Sequence, residues 1–194
     1  TMEERLTALG VSDAELAGLA YVSPDGPLFA LSQARPVPTE DWPVFQRLAQ
    51  GRALVVFDGV NEALAMHGLN MNVATEVAHL LSLLRAVSRS TGAAVVGIAV
   101  MSKESAKEGG PGGAIGSQHK RATVDVMLRM NMKRPFARGA DGMSEVLISK
   151  DRPGSLRMVC QDVKRERLAE FALSSPGLGT VVAARLGRLL PEAE

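Results

Sequence analysis

The chain has 194 residues and a formal net charge of +1. That is enough length to bury a core, and too little charge for a field that gathers nucleic acid or an anionic membrane. A single cysteine, Cys160, excludes a disulfide framework and a cysteine zinc site, and no signal peptide or bilayer-length apolar run is present. The expectation is one cytoplasmic domain over 1–194 with no membrane partner.

Leu6, Leu9 and Leu16 recur among Glu and Arg, so residues 2–18 read as a helix, a turn at Val11-Ser12-Asp13 and a second short helix. Leu19 to Val22 reads as a short strand. Residues 24–43 hold five prolines and read as an irregular connector, followed by a helix from Trp42 to Gln50, with Trp42 as packing.

Ala53 to Phe57 is a short β-branched run closed by Asp58-Gly59. It predicts a parallel strand buried on both faces, with Asp58 at its carboxyl end, where α/β sheets bind ligands. A plain strand-to-turn junction is the other reading of the same residues. A polar loop then runs from Asn61-Glu62 to Met71. Val73, Val77, Leu80, Leu81, Leu84 and Val87 predict a helix with Asn72 as N-cap. Ala93 to Val100 predicts the second strand of a βαβ unit.

From Met101 to Ser117 the apolar rhythm stops, and Gly109-Gly110-Pro111-Gly112-Gly113 predicts a mobile loop. Val126, Leu128, Met130 and Met132 alternate on one face of a strand, the methionines as core filler. Val146 and Ile148 alternate, as do Leu156, Met158 and Cys160, and Pro153-Gly154 between them predicts a β-hairpin. Residues 161–194 predict a further hairpin about Pro176-Gly177, with a helix over 180–190 as the alternative.

Three clusters can carry chemistry: Asp58 with Glu62; Gln118, His119, Lys120 and Arg121 after the glycine loop; and Lys150 with Arg152 on the predicted turn. The second holds donors suited to phosphate, and basic residues exceed acidic ones from Lys103 to Asp141, either as a solvated face or as an anion-binding strip. Lys150 and Arg152 share a direction on extended backbone. They are an ordinary basic turn, or a pair that reaches a neighbouring subunit, Arg matching phosphate with its planar fork.

In order, Leu54-Val55-Val56-Phe57-Asp58-Gly59, Ser102-Lys103, Gly116-Ser117-Gln118-His119-Lys120 and Ser149-Lys150-Asp151-Arg152-Pro153-Gly154 resemble the RecA-like ring ATPases. The nearest branch is that of RepA-type replicative helicases, often labelled AAA-family ATPases. The resemblance covers about residues 5 to 160. It implies a partial RecA-like P-loop ATPase core over 1–160, a mainly parallel sheet flanked by helices, with C-terminal antiparallel β-hairpins. By the same resemblance Asp58, with Gly59, binds ATP and holds Mg²⁺ through water. Lys103, Lys107, Lys120 and Arg121 meet single-stranded DNA. Gln118 and His119 couple nucleotide to DNA, and Lys150 and Arg152 act in trans on the next subunit's nucleotide. The partners implied are single-stranded DNA and copies of the chain in a ring, a hexamer by analogy.

The sequence departs from that pattern. It holds no Gly-x-x-x-x-Gly-Lys-Ser/Thr, and the family's catalytic Glu precedes the matched segment. Ala99 and Val100 stand where family members often carry Asp-His or His-His. The expectation is therefore the second half of such an ATPase, by truncation or a split gene, either completed by a chain that supplies the phosphate loop or acting as a non-catalytic module for assembly and DNA binding. Lacking the central phosphate-loop strand, it would pair 93–100 directly with 125–132 or self-associate. An unrelated α/β enzyme using Asp58, Glu62 and His119 is the third reading.

Overall fold

A computed structural model describes residues 2–23, 25–32, 35–100, 117–137, 139–160, 166–174 and 183–187, without the side chains of 117–119. The predicted glycine loop at 109–113 and the turn at Pro176-Gly177 lie outside the described residues. The chain forms two compact units, Val22–Val124 and Thr1–Tyr21 with Asp125–Glu194. No helix among the described residues is long and apolar enough to cross a membrane.

Helix α1 (Met2–Ala8) leads to α2 (Asp13–Leu16), whose start is fixed by a reciprocal cap. The Glu15 amide donates to Ser12 Oγ, and the Glu15 carboxylate accepts from the Ser12 amide at 2.9 Å. The strand expected at Leu19–Val22 is not formed.

In the 22–124 unit, the proline-rich stretch is not irregular. It makes an antiparallel pair, β1 (Phe29–Ser32) with β2 (Arg35–Pro38). β2 carries two prolines, which a strand accepts at an edge where no partner needs their missing N–H groups. Helix α3 (Asp41–Ala49) forms as predicted, and Trp42 packs on Phe45, which in turn packs on Phe57.

Strand β3 (Leu54–Asp58) pairs in parallel with β4 (Ala94–Ile98), in the register Val56↔Val96 and Asp58↔Ile98. Helices α4 (Val60–Met66) and α5 (Ala74–Thr91) lie between them in the chain. The reading of 61–71 as a polar loop is corrected for its first part. Val60 and Leu64, one turn apart, are both buried, so a seven-residue helix gains a core face that its polar residues mask in the sequence. α5 buries Val77, Leu80, Leu81, Leu84 and Val87 at the predicted spacing. Its N-cap is Val73, with no side-chain bond, instead of Asn72.

The core gathers Phe29, Val60, Leu64, Leu69, Val77, Leu80, Leu81 and Leu84, with Phe57 and Val95 against it. Each such aliphatic side chain contributes about 1.5–3 kcal/mol when fully buried. Gly97 on β4 admits Val60: a Cβ there would lie 2.7 Å from Val60 Cγ2. The expectation of a strand buried on both faces is corrected. Leu54, Val56, Val96 and Ile98 are all about half exposed, so one face of the parallel pair packs on the core and the other is open.

His67, which caps the C-terminus of α4, fastens the β1–β2 pair. Its Nε2 accepts from the Leu28 amide at 2.9 Å, so the ring proton sits on Nδ1 and is donated to the Ala63 carbonyl at 2.6 Å. The Phe29 ring lies 4.3 Å from its centroid.

Helix α6 (Ser117–Thr123) closes this unit and packs on α5, where the Arg85 guanidinium donates to the Thr123 carbonyl. In the other unit, β5 (Val126–Arg134), β6 (Gly142–Asp151), β7 (Arg167–Ser174) and β8 (Ala183–Gly187) form one antiparallel sheet in that order. A mainly parallel sheet is thus corrected to a mixed α/β fold, with one small parallel pair and antiparallel sheets. β4 pairs with β3 and β5 with β6, so the expected 93–100 with 125–132 pairing is not formed among the described residues.

The sheet order leaves β5 on an edge, and Leu128, Met130 and Met132 are exposed instead of filling a core. The central strand β6 is buried. Its Glu145 pairs with Lys133 and Arg167, each at 2.9 Å. Burial pushes the Glu145 carboxyl up, but the Lys133 bond and the charges of Arg167 and Lys133 outweigh it and leave it below the usual value.

The predicted hairpin at 146–160 is also corrected. Helix α7 (Ser155–Val159) follows β6 instead of a returning strand. The cause is the buried Asp151 carboxylate, which accepts from the amides of Gly154, Leu156 and Arg157 at 2.9–3.0 Å. Gly154, at φ 80°, turns the chain into reach. β7 and β8 do pair antiparallel, as read for the C-terminal segment.

Two outcomes follow for stability. Asp151→Ala strands three amides and should cost about 2 kcal/mol in urea unfolding. Burial lowers the His67 pKa from the ordinary 6.5, so its contribution is complete above 6.5 and is lost as pH falls through the lowered value. His67→Ala should therefore lose about 1 kcal/mol at pH 7.5, with a gap to the parent that narrows on acidification.

Candidate functional site

The site is built where β3 ends. Asp58 is exposed at the carboxyl end of the strand, and Gly59 is the N-cap of α4, without a side-chain cap. The Asp58–Gly59 peptide is cis. A Cβ on Gly59 would collide with a Glu62 carboxylate oxygen and lie 3.5 Å from the Ile98 carbonyl oxygen. Glu62 thus folds back over Gly59, beside Asp58, and glycine is required for that approach.

α6 contributes the third part. Lys120 is only 3% exposed, and its Nζ donates to Asn61 Oδ1 at 2.6 Å. Burial pushes the Lys120 amine below the ordinary 10.5, while the charge of Glu62 works in the opposite direction. Asp58, Gly59, Asn61, Glu62 and Lys120 therefore form one mixed-charge group on three elements of a single unit, with both carboxylates toward solvent.

The nucleic-acid role read for Lys120 is corrected on geometry, since a phosphate backbone cannot reach a side chain enclosed to this degree. Arg121, its neighbour, is exposed. Gln118 and His119 lie on α6, and their side chains fall outside the described residues, as do Lys103 and Lys107 entirely. Lys150 ends β6 half-buried, and Arg152 follows in the bend after it. Both belong to the other unit, where Arg152 Nη1 meets Asp125 Oδ1 at 2.6 Å and its amide donates to the Asp125 carbonyl. Both side chains of that pair are largely exposed, so it is worth at most about 1 kcal/mol and does not lock the guanidinium.

Asn61 was not singled out from the sequence, because nothing local marks it. Its role comes from a partner 59 residues away. No cluster of three or more His, Cys, Asp or Glu side chains suited to a metal ion occurs among the described residues. One exposed carboxylate is a poor site for zinc. It suits a magnesium ion that keeps most of its own water. No protein-family model, curated protein or solved structure matches the chain.

The electrostatic group has a direct check. Glu62→Gln removes the charge that favours the Lys120 ammonium, so the amine should titrate at still lower pH. Carbon NMR of ε-labelled lysine, with Lys120→Met as the assignment control, reads the change.

Proposed function

We propose that the chain is the ATP-binding and hydrolysing module of a RecA-like DNA helicase or DNA-translocating ATPase, working as a ring of copies or with a chain that brings the phosphate-binding loop. The observation that carries the reading is Asp58: a solvent-facing carboxylate at the carboxyl end of a parallel strand, followed at once by a helix and a βαβ crossover. That is where such folds meet phosphates and Mg²⁺.

In this reading Asp58 orders Mg²⁺ through water, and Gly59 lets the backbone and Glu62 crowd the same rim. Mg²⁺, when bound, would neutralise phosphate charge. Lys150 and Arg152 are offered to the nucleotide of a neighbouring copy, for which the loosely held guanidinium of Arg152 is suited. Gln118 and His119, on the helix that carries Lys120, link that site to single-stranded DNA held by Lys103, Lys107 and Arg121.

A second reading, a non-catalytic module for assembly and DNA binding, is favoured by one sequence fact: residues 1–194 contain no Gly-x-x-x-x-Gly-Lys-Ser/Thr. One assay separates the two. ATP hydrolysis stimulated by single-stranded DNA and reduced at least about a hundredfold in Asp58→Ala establishes the first. Absent hydrolysis, with salt-sensitive DNA binding lost in Lys103→Ala/Lys107→Ala, establishes the second. Neither activity overturns both.

A further inference from the structure

Lys120 poses a physical question that the proposed chemistry does not answer. Lysine is among the side chains least often enclosed, since an ammonium gives up strong hydration. Here it is 3% exposed, and its single described hydrogen-bond partner is the neutral amide of Asn61. A salt bridge to a carboxylate would offset burial better, yet the lysine reaches across to the neutral side chain beside Glu62. An arrangement that costs stability calls for another benefit.

The benefit lies in what Asn61 belongs to. It is the second residue of α4, and the first turn of a helix has amides with no partner inside the helix. Gly59, the cap, has no side chain to satisfy them. The same turn carries Glu62 over Gly59, against the residue that follows Asp58. This turn shapes the rim, and its own sequence supplies nothing to fasten it. The fastening comes from α6, which is anchored at its far end by Arg85 on the Thr123 carbonyl and at its middle by Lys120 on Asn61.

We propose that Lys120 is a positioning residue: from α6 its enclosed amino group ties down Asn61 and so fixes the first turn of α4, which sets Glu62 and Gly59 beside Asp58. The consequence for hydrolysis rests on the reading of Asp58 as the Mg²⁺-ordering carboxylate; the tie itself does not. Any displacement of α6 is transmitted by this bond to the rim. α6 is also the helix that carries Gln118 and His119, so Lys120 gives the coupling role read for those two residues a physical route.

The test uses the full chain and two measurements. Hydrogen exchange at the amides of residues 61–63 reads the turn without any ligand. Lys120→Met should speed exchange there by about tenfold or more while α5 keeps its protection. Lys120→Arg and Asn61→Asp, which preserve a donor and an acceptor, should restore most of it. Unchanged protection at 61–63 in Lys120→Met overturns the proposal, and so does an equal loss across α5, which would make Lys120 a packing residue only. Should Lys120→Met not fold, Asn61→Ser, whose hydroxyl is too short to reach, carries the same test with the same two outcomes.

Steady-state hydrolysis is the second measurement. Lys120→Met should lower kcat about tenfold or more with KM for ATP within about twofold, as for residues that orient a catalytic group. A loosened turn with kcat unchanged overturns the catalytic part. If the parent chain hydrolyses nothing, the ATPase reading fails, and exchange at 61–63 alone decides whether the tie exists.

Discussion

Val60 occupies the space that any side chain on Gly97 would fill, and the candidate site is arranged around that contact. Val60 is the first residue of α4, and Gly97 lies one residue before the end of β4. Their close approach seats the helix start on the parallel pair directly after Asp58-Gly59. From there the chain has little freedom. Leu64 enters the core one turn on, Glu62 is carried over Gly59, and Asn61 faces α6. Asp58 is held at the rim by packing a few residues away, without bonds of its own to define its place.

How much of this was legible varies with what held each element together. β3, α5, β4 and β6 announce themselves because the core imposes their periodicity on the sequence, and Val77, Leu80, Leu81, Leu84 and Val87 are buried as their spacing requires. α4 was hidden because it is only seven residues long and shows Asn61 and Glu62 before its two core residues can establish a rhythm. The 155–159 helix was hidden for a different reason. Leu156, Met158 and Cys160 alternate like a strand, but three amides held by Asp151 outweigh that weak pattern. The β1–β2 pair lay behind prolines that normally signal irregular chain.

The site divides in the same way. Asp58 and Gly59 could be found from a strand and a glycine, because their setting is local. Lys120 could be found as a basic residue near a phosphate site, but its burial depends on α6 folding onto α5 and meeting α4, and no local pattern encodes that. Charge alone put it on the outside. Tertiary packing put it inside, where a cation is costly and for that reason informative. Asn61 carries no signal until its partner is known.

The open face of the parallel pair bears on how these residues behave in solution. Leu54, Val56, Val96 and Ile98 present adjoining aliphatic surface to water, on strands whose outer edges still carry unsatisfied amides and carbonyls. With an isoelectric point near 7.9, there is little like-charge repulsion at neutral pH to hold two such faces apart. Salting-out anions such as sulfate would deepen the attraction, whereas a shift to a more acidic or more alkaline buffer would raise the charge and restore colloidal separation.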